Sequence, residues 1–417
     1  MRILWVKPGK LLPLNTGGQL RTYNILRKLA VTHDLTYLSY YGGPRDAAYE
    51  TAIVDHIPGT VCVSRAGSAD TPAARYIEYL RLLTWKAPHA VSKFTARQVQ
   101  TIVQEWMSER KFDVAVCDFL SSALNFPADL STPTVLFQHN VETVLWKRKA
   151  EHEVKWLDRL VAKIEYWKMR RFEPEQVRRF HHVIAVSNAD CDAMRAMVEP
   201  GRISVVPTGV DLQRFHYDPA LQPSSPIVVF TGSMDWEPNI DGVEFFCQEI
   251  WPLVVSRVPQ ARFRVVGRDP HPRVKRLASD SIEITGTVPS IIEYLREAKV
   301  FVVPLRMGGG TRIKIYEAMA TGKATVSTAV GAEGLDVQHG RDILIEDDPS
   351  RFAEAICVLL QDEHLRRRYE AAAAATARQY DWSVVTERFV EVLRKTVEAA
   401  SNGRDRQDQP GRQKVGI

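Results

Sequence analysis

The stretch KVFVVPLRMGGGTRIKIYEAMATGKATVST, residues 299–328, decides the fold of this chain. Its apolar run KVFVVPL predicts a buried strand, the glycine triplet predicts a loop, and TRIKIYEAMA predicts a short helix that begins at Thr311 and is closed by Gly322. A second β-branched run, TVST, follows. Strand, loop, helix and strand in this order are typical of a βαβ unit, whose two strands are parallel.

The same alternation of strand and helix extends in both directions from this unit. The first half contains RILWVKP, LTYLSYY, TVCVS, FDVAVCD, TPTVLFQHN and HHVIAVS, and the second half contains PIVVFTGS, RFRVVGR, IEITG, KVFVVPL, TVSTAV and DILIED. A passage with four prolines between Pro207 and Pro226 separates the halves. We therefore predict an α/β protein with two Rossmann-like domains, each built on a parallel sheet.

The length of 417 residues fits two domains better than one core. We place an N-terminal domain at residues 1–205, a C-terminal domain at 206–381, a final helix at about 382–400 and a disordered tail at 401–417. Ligands of open α/β sheets bind beyond the carboxyl ends of the strands. We therefore expect the functional residues in loops that follow strands, beside a cleft between the domains.

The composition is that of a globular protein, with 45% hydrophobic residues, 25% charged residues and a formal net charge of +5. No apolar run approaches the roughly 18 to 20 residues of a membrane span, and the N-terminal stretch lacks the apolar region of a secretory signal. The five cysteines are scattered and never form CxxC, which argues against a disulfide framework or a zinc site. These features predict a cytoplasmic protein.

The glycine triplet and the helix after it predict a phosphate site. A loop without side chains leaves the backbone open, and the first amides of a helix have no internal partners. Arg312 and Lys314 add positive charge beside this loop. Glu317 lies far enough along the helix to reach a ribose beside the phosphate. The alternative is a flexible loop before an amphipathic helix. The residues concerned are Gly308, Gly309, Gly310, Thr311, Arg312, Lys314 and Glu317.

A second glycine pair stands between the first predicted strand and helix. In NTGGQLRTYNILRKLA, Gly17 and Gly18 precede the helix and Arg21 lies one turn inside it. Close approach of the backbone to an anion would explain the glycines. A plain strand-to-helix turn would explain them equally well when the motif is taken alone.

Polar residues follow two strands of the first half. FQHNVET ends an apolar strand with His139, Asn140 and Glu142, and Asp118 follows VAVC. Polar side chains at this end of a strand suit a substrate site, whereas one histidine and one carboxylate make a poor metal site. A purely structural histidine is the alternative. The DCD sequence at 190–192 resembles a metal-binding motif, but Ser187 three residues before Asp190 indicates a helix cap instead.

One segment is strongly basic. Residues 147–179 contain eleven Lys or Arg against six Asp or Glu, and the upstream stretch at 75–94 is also basic. Basic residues beside large aromatic residues suit the surface of an anionic membrane, although a solvated helix face is the alternative. No nucleic-acid-binding module accompanies the segment. Its large aromatic residues are Trp146, Trp156, Trp167 and Phe172.

Taken together, the motifs resemble a known family. NTGGQLR, FQHN, AVSN, VVPTGVD, FTGSMDWEPNIDGVEFF, VVG, ITGTV, VPLRMGGGTRIKIYEAMATGKATVST and GAEGL occur in this order. The ordered set resembles the retaining glycosyltransferases of family 4, which have the GT-B fold of two facing Rossmann-like domains. The resemblance covers residues 1 to about 400 and extends to bacterial sugar transferases of polysaccharide and exosortase-linked gene clusters. It implies a hinge at 206–211 and a helix from Trp382 that returns to the first domain.

The resemblance also implies roles for single residues. Glu317 matches the second glutamate of the family's E-x7-E motif, which binds the ribose hydroxyls of a nucleotide sugar. Gly17 and Gly18 match a glycine loop near the donor phosphates. His139 matches a histidine close to the transferred sugar.

Two departures from the family pattern concern charged residues. The first glutamate of E-x7-E is replaced by Gly309, and the family's R-x4-K pair is replaced by Ser233 and Pro238. We hypothesise that Arg312 and Lys314 supply the lost positive charge from the neighbouring loop. Stabilising a diphosphate leaving group requires donors aimed at the developing charge, not donors from one particular segment.

With this resemblance, we predict a metal-independent and cofactor-independent enzyme that transfers a sugar, with retention, from a UDP- or GDP-linked donor to a hydroxyl of a glycan or lipid-linked acceptor. A nucleotide-sugar epimerase or hydrolase, or a non-catalytic nucleotide-sugar-binding protein, are the alternatives. Nucleic acid is not an expected partner, and peripheral attachment to the inner face of the plasma membrane is a hypothesis. The expected residues are His139, Arg312 and Lys314 as catalytic groups, Gly17, Gly18, Gly232, Ser233, Gly308, Gly309, Gly310, Thr311 and Glu317 on the donor side, and Arg21, Asp118, Asn140 and Glu142 on the acceptor side.

Overall fold

The computed structural model describes residues 1–65, 86–109, 111–153, 155–308, 310 and 312–407. The chain divides into two compact units. Unit 1 consists of Met1–Val206 and Thr386–Ile417, and unit 2 consists of Pro207–Val385. The sequence had placed the first boundary between residues 205 and 206.

A parallel sheet forms the centre of unit 1. Its strands lie in the order β3-β2-β1-β4-β5-β6-β7, so the strand order reverses between β1 and β4. Strand β4 is buried at every residue and β1 at all but its first, as expected for a sheet covered on both faces. In chain order the strands are β1 (Arg2–Pro8), β2 (Asp34–Gly42), β3 (Thr60–Arg65), β4 (Val114–Asp118), β5 (Thr134–Phe137), β6 (His182–Ala185) and β7 (Ile203–Val205).

Strand β7 was not among the strands predicted from the sequence. In the structure, Ile203, Ser204 and Val205 pair with β6 at the edge of the sheet. The described helices of unit 1 lie between the strands. They are α1 (Gly17–Thr32), α2 (Ala47–His56), α3 (His89–Ser92), α4 (Arg97–Ser108), α5 (Glu142–His152), α6 (Trp156–Arg179) and α7 (Asn188–Met194), with a 3-10 turn at Leu120–Asn125.

Helix α5 begins at Glu142, upstream of the strongly basic segment at 147–179. Its start is fixed by the buried carboxylate of Glu173, which lies on α6. This carboxylate accepts hydrogen bonds from the backbone N–H of Glu142 at 2.9 Å and of Thr143 at 2.8 Å. The cap comes from a residue about thirty positions away, so no local capping signal marks the helix start.

Unit 2 repeats the plan with a second parallel sheet. Its strands lie in the order β10-β9-β8-β11-β12-β13, and the order reverses between β8 and β11. The strands are β8 (Ile227–Thr231), β9 (Arg262–Val266), β10 (Ile282–Gly286), β11 (Val300–Val303), β12 (Ala324–Ser327) and β13 (Leu344–Ile345). The helices are α8 (Glu237–Phe245), α9 (Trp251–Arg257), α10 (Pro272–Lys275), α11 (Ile292–Glu297), α12 (Ile313–Ala320), α13 (Ala329–Ala332), α14 (Pro349–Gln361) and α15 (Glu363–Arg378), with a π-helical turn at Phe246–Ile250.

The last helix, α16 (Trp382–Gln407), begins in unit 2 and continues into unit 1. Within unit 1 its Phe389 ring stacks on Trp5 at 5.3 Å and meets Phe137 edge-on at 5.1 Å between ring centroids. The helix extends seven residues into the segment that was predicted to be a disordered tail. Extending a formed helix costs far less than nucleating one, which accounts for the difference. Residues 408–417 lie outside the described residues.

Among the described residues, no helix combines the length and the hydropathy that a bilayer-spanning segment needs.

Candidate functional site

Each sheet has one point at which its strand order reverses, and loops from both sides of that point carry predicted residues. In unit 1 these are the loops after β1 and β4. In unit 2 they are the loops after β8 and β11. Crevices at such points are where open α/β sheets bind ligands. Predicted residues from distant parts of the sequence are therefore collected at two places, one in each unit.

In unit 1, His139 is held by partners on both ring nitrogens. Nδ1 lies 2.9 Å from Nη1 of Arg21, and Nε2 lies 2.6 Å from Oδ1 of Asp118. Because a guanidinium can only donate, Nδ1 accepts and Nε2 carries the proton that is donated to Asp118. Burial lowers the pKa of His139 to about 4. The imidazole is therefore neutral near pH 7, and both of its nitrogens are occupied by this unit.

Asp118 is the centre of this buried network. Its Oδ2 accepts hydrogen bonds from Trp5 Nε1 at 3.0 Å and from Thr22 Oγ1 at 2.7 Å. Burial alone would raise the pKa of Asp118, but His139, Lys7 and the Thr22 hydroxyl hold it below the usual value. Asp118 is thus an anion that fixes the histidine and the start of α1.

Arg21 is almost fully buried, and burial lowers its pKa to about 10, so it remains a cation. Its Nε is buried and has no hydrogen-bond partner among the described residues. An unpaired buried N–H is costly, and such groups often mark a place that a ligand completes. Arg21 stays a predicted acceptor-side residue.

Gly17 and Gly18 are the first two residues of α1. A capping box precedes them, in which Thr16 Oγ1 accepts from the backbone N–H of Gln19 at 3.2 Å. Gly18 packs on a ring, since a Cβ added there would lie 2.6 Å from Cζ of Phe119. Gly18 therefore allows close packing inside unit 1, and part of the helix terminus that was predicted to face an anion is satisfied locally.

Phe119 explains why Gly18 must be small. Its ring stacks on His139 with centroids 3.8 Å apart and planes 7° apart. Its backbone φ of 67° places this bulky residue in the left-handed region, which is sterically unfavourable. Strain of this kind persists only where the surroundings impose it, and it is enriched at functional sites.

Glu142 and Asn140 lie beside this network, and both are partly buried. Burial, together with the nearby carboxylate of Glu173, raises the pKa of Glu142 to about 7. Glu142 is therefore the one predicted acceptor-side acid whose charge changes near neutral pH.

In unit 2 the glycine loop follows β11. Gly308 has φ of 110° and Gly310 has φ of 81°, so both adopt conformations that favour glycine. Gly309 and Thr311 lie outside the described residues. Helix α12 begins at Ile313, two residues later than predicted, and its first turn has no side-chain cap.

Arg312 is 4% exposed and turns back onto the glycine loop. Its Nη1 donates a hydrogen bond to the carbonyl of Gly310, and its guanidinium lies 5.8 Å from the ring centre of Trp236. These contacts hold the shape of the loop. A direct role of Arg312 in phosphate binding remains a prediction.

Lys314 points from α12 to the loop after β8. Its Nζ donates to Asn239 Oδ1 at 3.1 Å and lies 4.2 Å from the ring centre of Phe230. A Cβ on Gly232 would lie 2.7 Å from this Nζ, so Gly232 leaves room for it. Burial, with a contribution from Arg312, lowers the pKa of Lys314 to about 7. Lys314 thus brings a titratable cation to the loop that lacks the family's lysine.

Glu317 lies one turn further along α12 and is partly buried. Burial raises its pKa to about 7, against the opposing effects of Arg214 and Lys314. Among the described residues, no group donates a hydrogen bond to this carboxylate. It is therefore an acceptor that a ligand can use.

Sequence reasoning missed two residues of this region. Asn239 donates to the carbonyl of Ser233 at 2.8 Å and so links that loop to Lys314. Arg268 follows β9, and its Nε donates to Ser233 Oγ at 3.0 Å. The signal for Arg268 was a cation directly after the glycine of VVG, at the end of a buried strand.

Groups of three or more His, Cys, Asp or Glu side chains suited to a metal ion do not occur among the described residues. The DCD sequence forms the start of α7, where Ser187 Oγ accepts from the backbone N–H of Asp190 at 3.0 Å. The predicted helix cap is confirmed at this position.

The basic segment places only part of its aromatic residues at the surface. Phe172 is buried and Trp146 is partly buried, whereas Trp156 is 73% exposed and Trp167 is 60% exposed. Of the upstream basic stretch, residues 75–85 lie outside the described residues. Of the four large aromatic residues named for this segment, the two exposed ones therefore lie on helix α6.

Two protein-family models match the chain. The model described as Glycosyltransferase Family 4 matches residues 16–214, and the model described as Glycosyl transferases group 1 matches residues 225–362. The chain belongs to the family 4 glycosyltransferases. Family membership predicted from the ordered motifs is therefore confirmed.

Two curated relatives of this family 4 chain carry the names of transferases. The phosphatidyl-myo-inositol mannosyltransferase of Mycolicibacterium smegmatis is 31% identical over 206 residues, which are 47% of this chain and 52% of that protein. The N,N'-diacetylbacillosaminyl-diphospho-undecaprenol alpha-1,3-N-acetylgalactosaminyltransferase of Campylobacter jejuni is 25% identical over 239 residues, 52% of this chain and 61% of that protein. This chain therefore matches only about half of the length of the mannosyltransferase.

Solved structures match the family 4 chain over most of its length. Anabaena HepE in complex with UDP-glucose has a TM-score of 0.63 at 15% sequence identity, covering 95% of this chain and 100% of that one. Together with the two parallel sheets, this likeness confirms the predicted GT-B fold class.

Proposed function

We propose that this family 4 chain transfers a sugar from a nucleoside diphosphate donor to a hydroxyl acceptor. One observation carries the proposal: Glu317, whose carboxylate accepts no hydrogen bond from the described residues, lies one helical turn from the cation Lys314 at the point where the strand order of unit 2 reverses. Glu317 can accept hydrogen bonds from ribose hydroxyls, and Lys314 can bind phosphate oxygens. A nucleoside diphosphate carries both of these groups.

The donor would lie along the loops after β8 and β11. Glu317 would accept hydrogen bonds from the ribose. Lys314 and the uncapped amides of α12 would receive the diphosphate, with Arg312 holding the glycine loop in shape. In this scheme protein cations, rather than a metal ion, carry the leaving-group charge. UDP and GDP remain equal candidates for the nucleotide.

We assign retention of configuration to an attack assisted by the leaving phosphate itself. His139 has both ring nitrogens engaged by Arg21 and Asp118 and is neutral, so it is not placed as a proton carrier. Its proposed task is to orient Arg21 near the transferred sugar. Binding energy and preorganised charge would then do most of the catalytic work.

The acceptor is proposed to be a glycan or a lipid-linked saccharide. The names of two relatives, with phosphatidyl-myo-inositol and diphospho-undecaprenol in them, support a lipid-linked acceptor. This places the chain in glycan or exopolysaccharide synthesis.

The proposed transfer is tested with radiolabelled UDP- and GDP-sugars, with and without an extract of lipid-linked saccharides as acceptor, in the presence of EDTA. We expect label to move to the lipid fraction only when acceptor is present. Rapid epimer or free sugar formation without acceptor would favour the epimerase or hydrolase. Tight donor binding with no turnover on any acceptor would favour a non-catalytic binding protein.

We further propose that helix α6 rests on an anionic membrane surface. One face of it exposes Trp156, Leu157, Leu160 and Trp167, of which Leu157 is 56% and Leu160 is 50% exposed. Exposed cations surround these side chains, and Arg171 lies 4.6 Å from the ring centre of Trp167. Large apolar groups ringed by positive charge fit the interfacial region of a bilayer. The exposed cations are Lys155, Arg159, Lys163, Arg170 and Arg171.

This attachment predicts co-sedimentation with phosphatidylglycerol vesicles that high salt reverses. Replacing Arg159, Lys163 and Arg170 together by Gln should weaken partitioning about 100-fold, at about 1 kcal/mol for each cation. The control is Val31→Ser, which removes an apolar side chain that is 82% exposed on helix α1. Equal sedimentation of the wild type and the triple variant, or equal binding to neutral and anionic vesicles, would contradict the attachment.

A further inference from the structure

The loop after β8 lacks the arginine and lysine that the family pattern places there, with Ser233 and Pro238 at those positions. The structure puts a different arginine at the first of them. Arg268, from the loop after the adjacent strand β9, donates through Nε to Ser233 Oγ at 3.0 Å. We propose that Arg268 binds the donor diphosphate in place of the missing arginine. This assignment rests on the proposed function and adds a residue to its site.

The backbone fixes Arg268 beside Ser233. Hydrogen bonds continue past the ends of the two strands, from Gly232 N–H to Val266 O at 3.0 Å and from Met234 N–H to Arg268 O at 2.9 Å. The position of Arg268 is therefore set by an extension of the sheet and not by a mobile loop. A preorganised cation loses little freedom when an anion binds.

Two glycines make this close approach of the loops feasible. A Cβ on Gly267 would lie 1.6 Å from the carbonyl oxygen of Gly232, which no side chain could tolerate. The residue before Arg268 must therefore be glycine for the two loops to touch. The contact also brings Arg268 to the same loop that Lys314 reaches from α12, where Gly232 makes room for its Nζ.

Nearby acids neutralise Arg268 only in part. Asp269 Oδ2 lies 3.9 Å from its Nε, and Asp235 accepts a hydrogen bond from Ser233 Oγ. The side chain of Asp269 is 65% exposed and that of Arg268 is 39% exposed. Ion pairs between exposed groups contribute little, so a diphosphate can displace them at small cost. Arg268 thus has both the exposure and the geometry to receive a phosphate oxygen.

The chemistry of guanidinium suits this role. It presents several N–H donors in one plane and binds phosphate oxygens in pairs. Because Nε is directed at Ser233 and the side chain is 39% exposed, an anion that approaches this loop would meet the Arg268 guanidinium. The substitution Arg268→Lys would keep the positive charge but remove the planar pair of N–H donors. It therefore separates the contribution of charge from that of paired hydrogen bonds.

The test measures binding of UDP, UMP, GDP and GMP to the full chain by calorimetry. Arg268→Ala should reduce the ratio of diphosphate to monophosphate affinity about 10- to 100-fold, the range for one or two charge-assisted hydrogen bonds. Arg268→Lys should recover part of the loss. Arg276→Ala, at an exposed arginine of unit 2, is the matched control and should leave the ratio unchanged.

A second variant tests whether an arginine at position 233 can replace the one at position 268 in diphosphate binding. In the double variant Ser233→Arg with Arg268→Ala, the cation returns to the position of the family pattern, and the ratio should rise again toward the wild-type value. An unchanged ratio in Arg268→Ala, or equal losses for mono- and diphosphate, would overturn the assignment of Arg268 alone. If the wild-type chain binds neither UDP nor GDP, the proposed function fails and this assignment falls with it.

Discussion

Replacing Glu317 by Gln should weaken binding of the preferred nucleoside diphosphate about 10- to 100-fold, corresponding to the ~1.5–3 kcal/mol of a hydrogen bond to a charged group. The carboxylate is partly buried and receives no hydrogen bond from the described residues, so a ribose hydroxyl would be its principal donor. The amide of Gln has the same shape but no charge. Calorimetry with UDP and GDP measures the loss.

Deoxynucleotides make this test specific for ribose. The wild type should bind the 2'-deoxy or 3'-deoxy diphosphate more weakly than the ribonucleotide, and Glu317→Gln should bind them all with similar affinity. Glu354→Gln is the matched control, because Glu354 is an exposed glutamate on helix α14 of the same unit. If the wild type does not distinguish ribose from deoxyribose, Glu317 does not hold the sugar hydroxyls.

The second large effect is expected for Lys314. Lys314→Met removes the charge while keeping the length of the side chain, and kcat for sugar transfer should fall about 10²- to 10³-fold, as when one donor is removed from a site of developing negative charge. The control is Lys275→Met, at an exposed lysine at the end of helix α10. Equal effects of the two substitutions would show that Lys314 does not stabilise the leaving group.

The pH dependence gives Lys314 an independent signature. Its pKa is lowered to about 7, so the side chain is charged below pH 7 and loses its proton as the pH rises. Activity of the wild type should therefore decline between about pH 7 and 9, while the residual activity of Lys314→Met should not. The pKa of Glu317 is raised to about 7, so loss of its charge should instead reduce donor binding below pH 7. An alkaline decline that persists in Lys314→Met would point to another group.

The two sheets could be predicted from the sequence because their strands are short β-branched runs with clear breaks. Among the buried parallel strands, β11 is apolar throughout and β4 is apolar up to its last residue, Asp118. Strand β7 and the start of helix α5, which the sequence did not show, depend on long-range contacts. Strand β7 forms only by pairing with β6, and α5 starts where Glu173 caps it from another helix.

The candidate site could be predicted only in part, for a similar reason. Glycines and charged residues that follow strands are visible in a sequence, and they pointed to Lys314 and Glu317. The partners of those residues are not visible. Asn239 reaches Lys314 across 75 positions, and Arg268 reaches Ser233 across 35. The two ring nitrogens of His139 are likewise engaged by distant residues: Arg21 lies 118 positions away in the sequence and Asp118 lies 21 positions away.

The contact between Gly232 and Gly267 sets a rule for engineering this chain. Because the carbonyl of one glycine occupies the space where the other would carry a side chain, the two segments can only be exchanged together. A chimera that takes residues 232–239 from a homologue but keeps the native residues 266–269 would disrupt the contact between Gly232 and Gly267. A library designed to alter sugar-nucleotide preference should therefore transplant both segments as a single cassette.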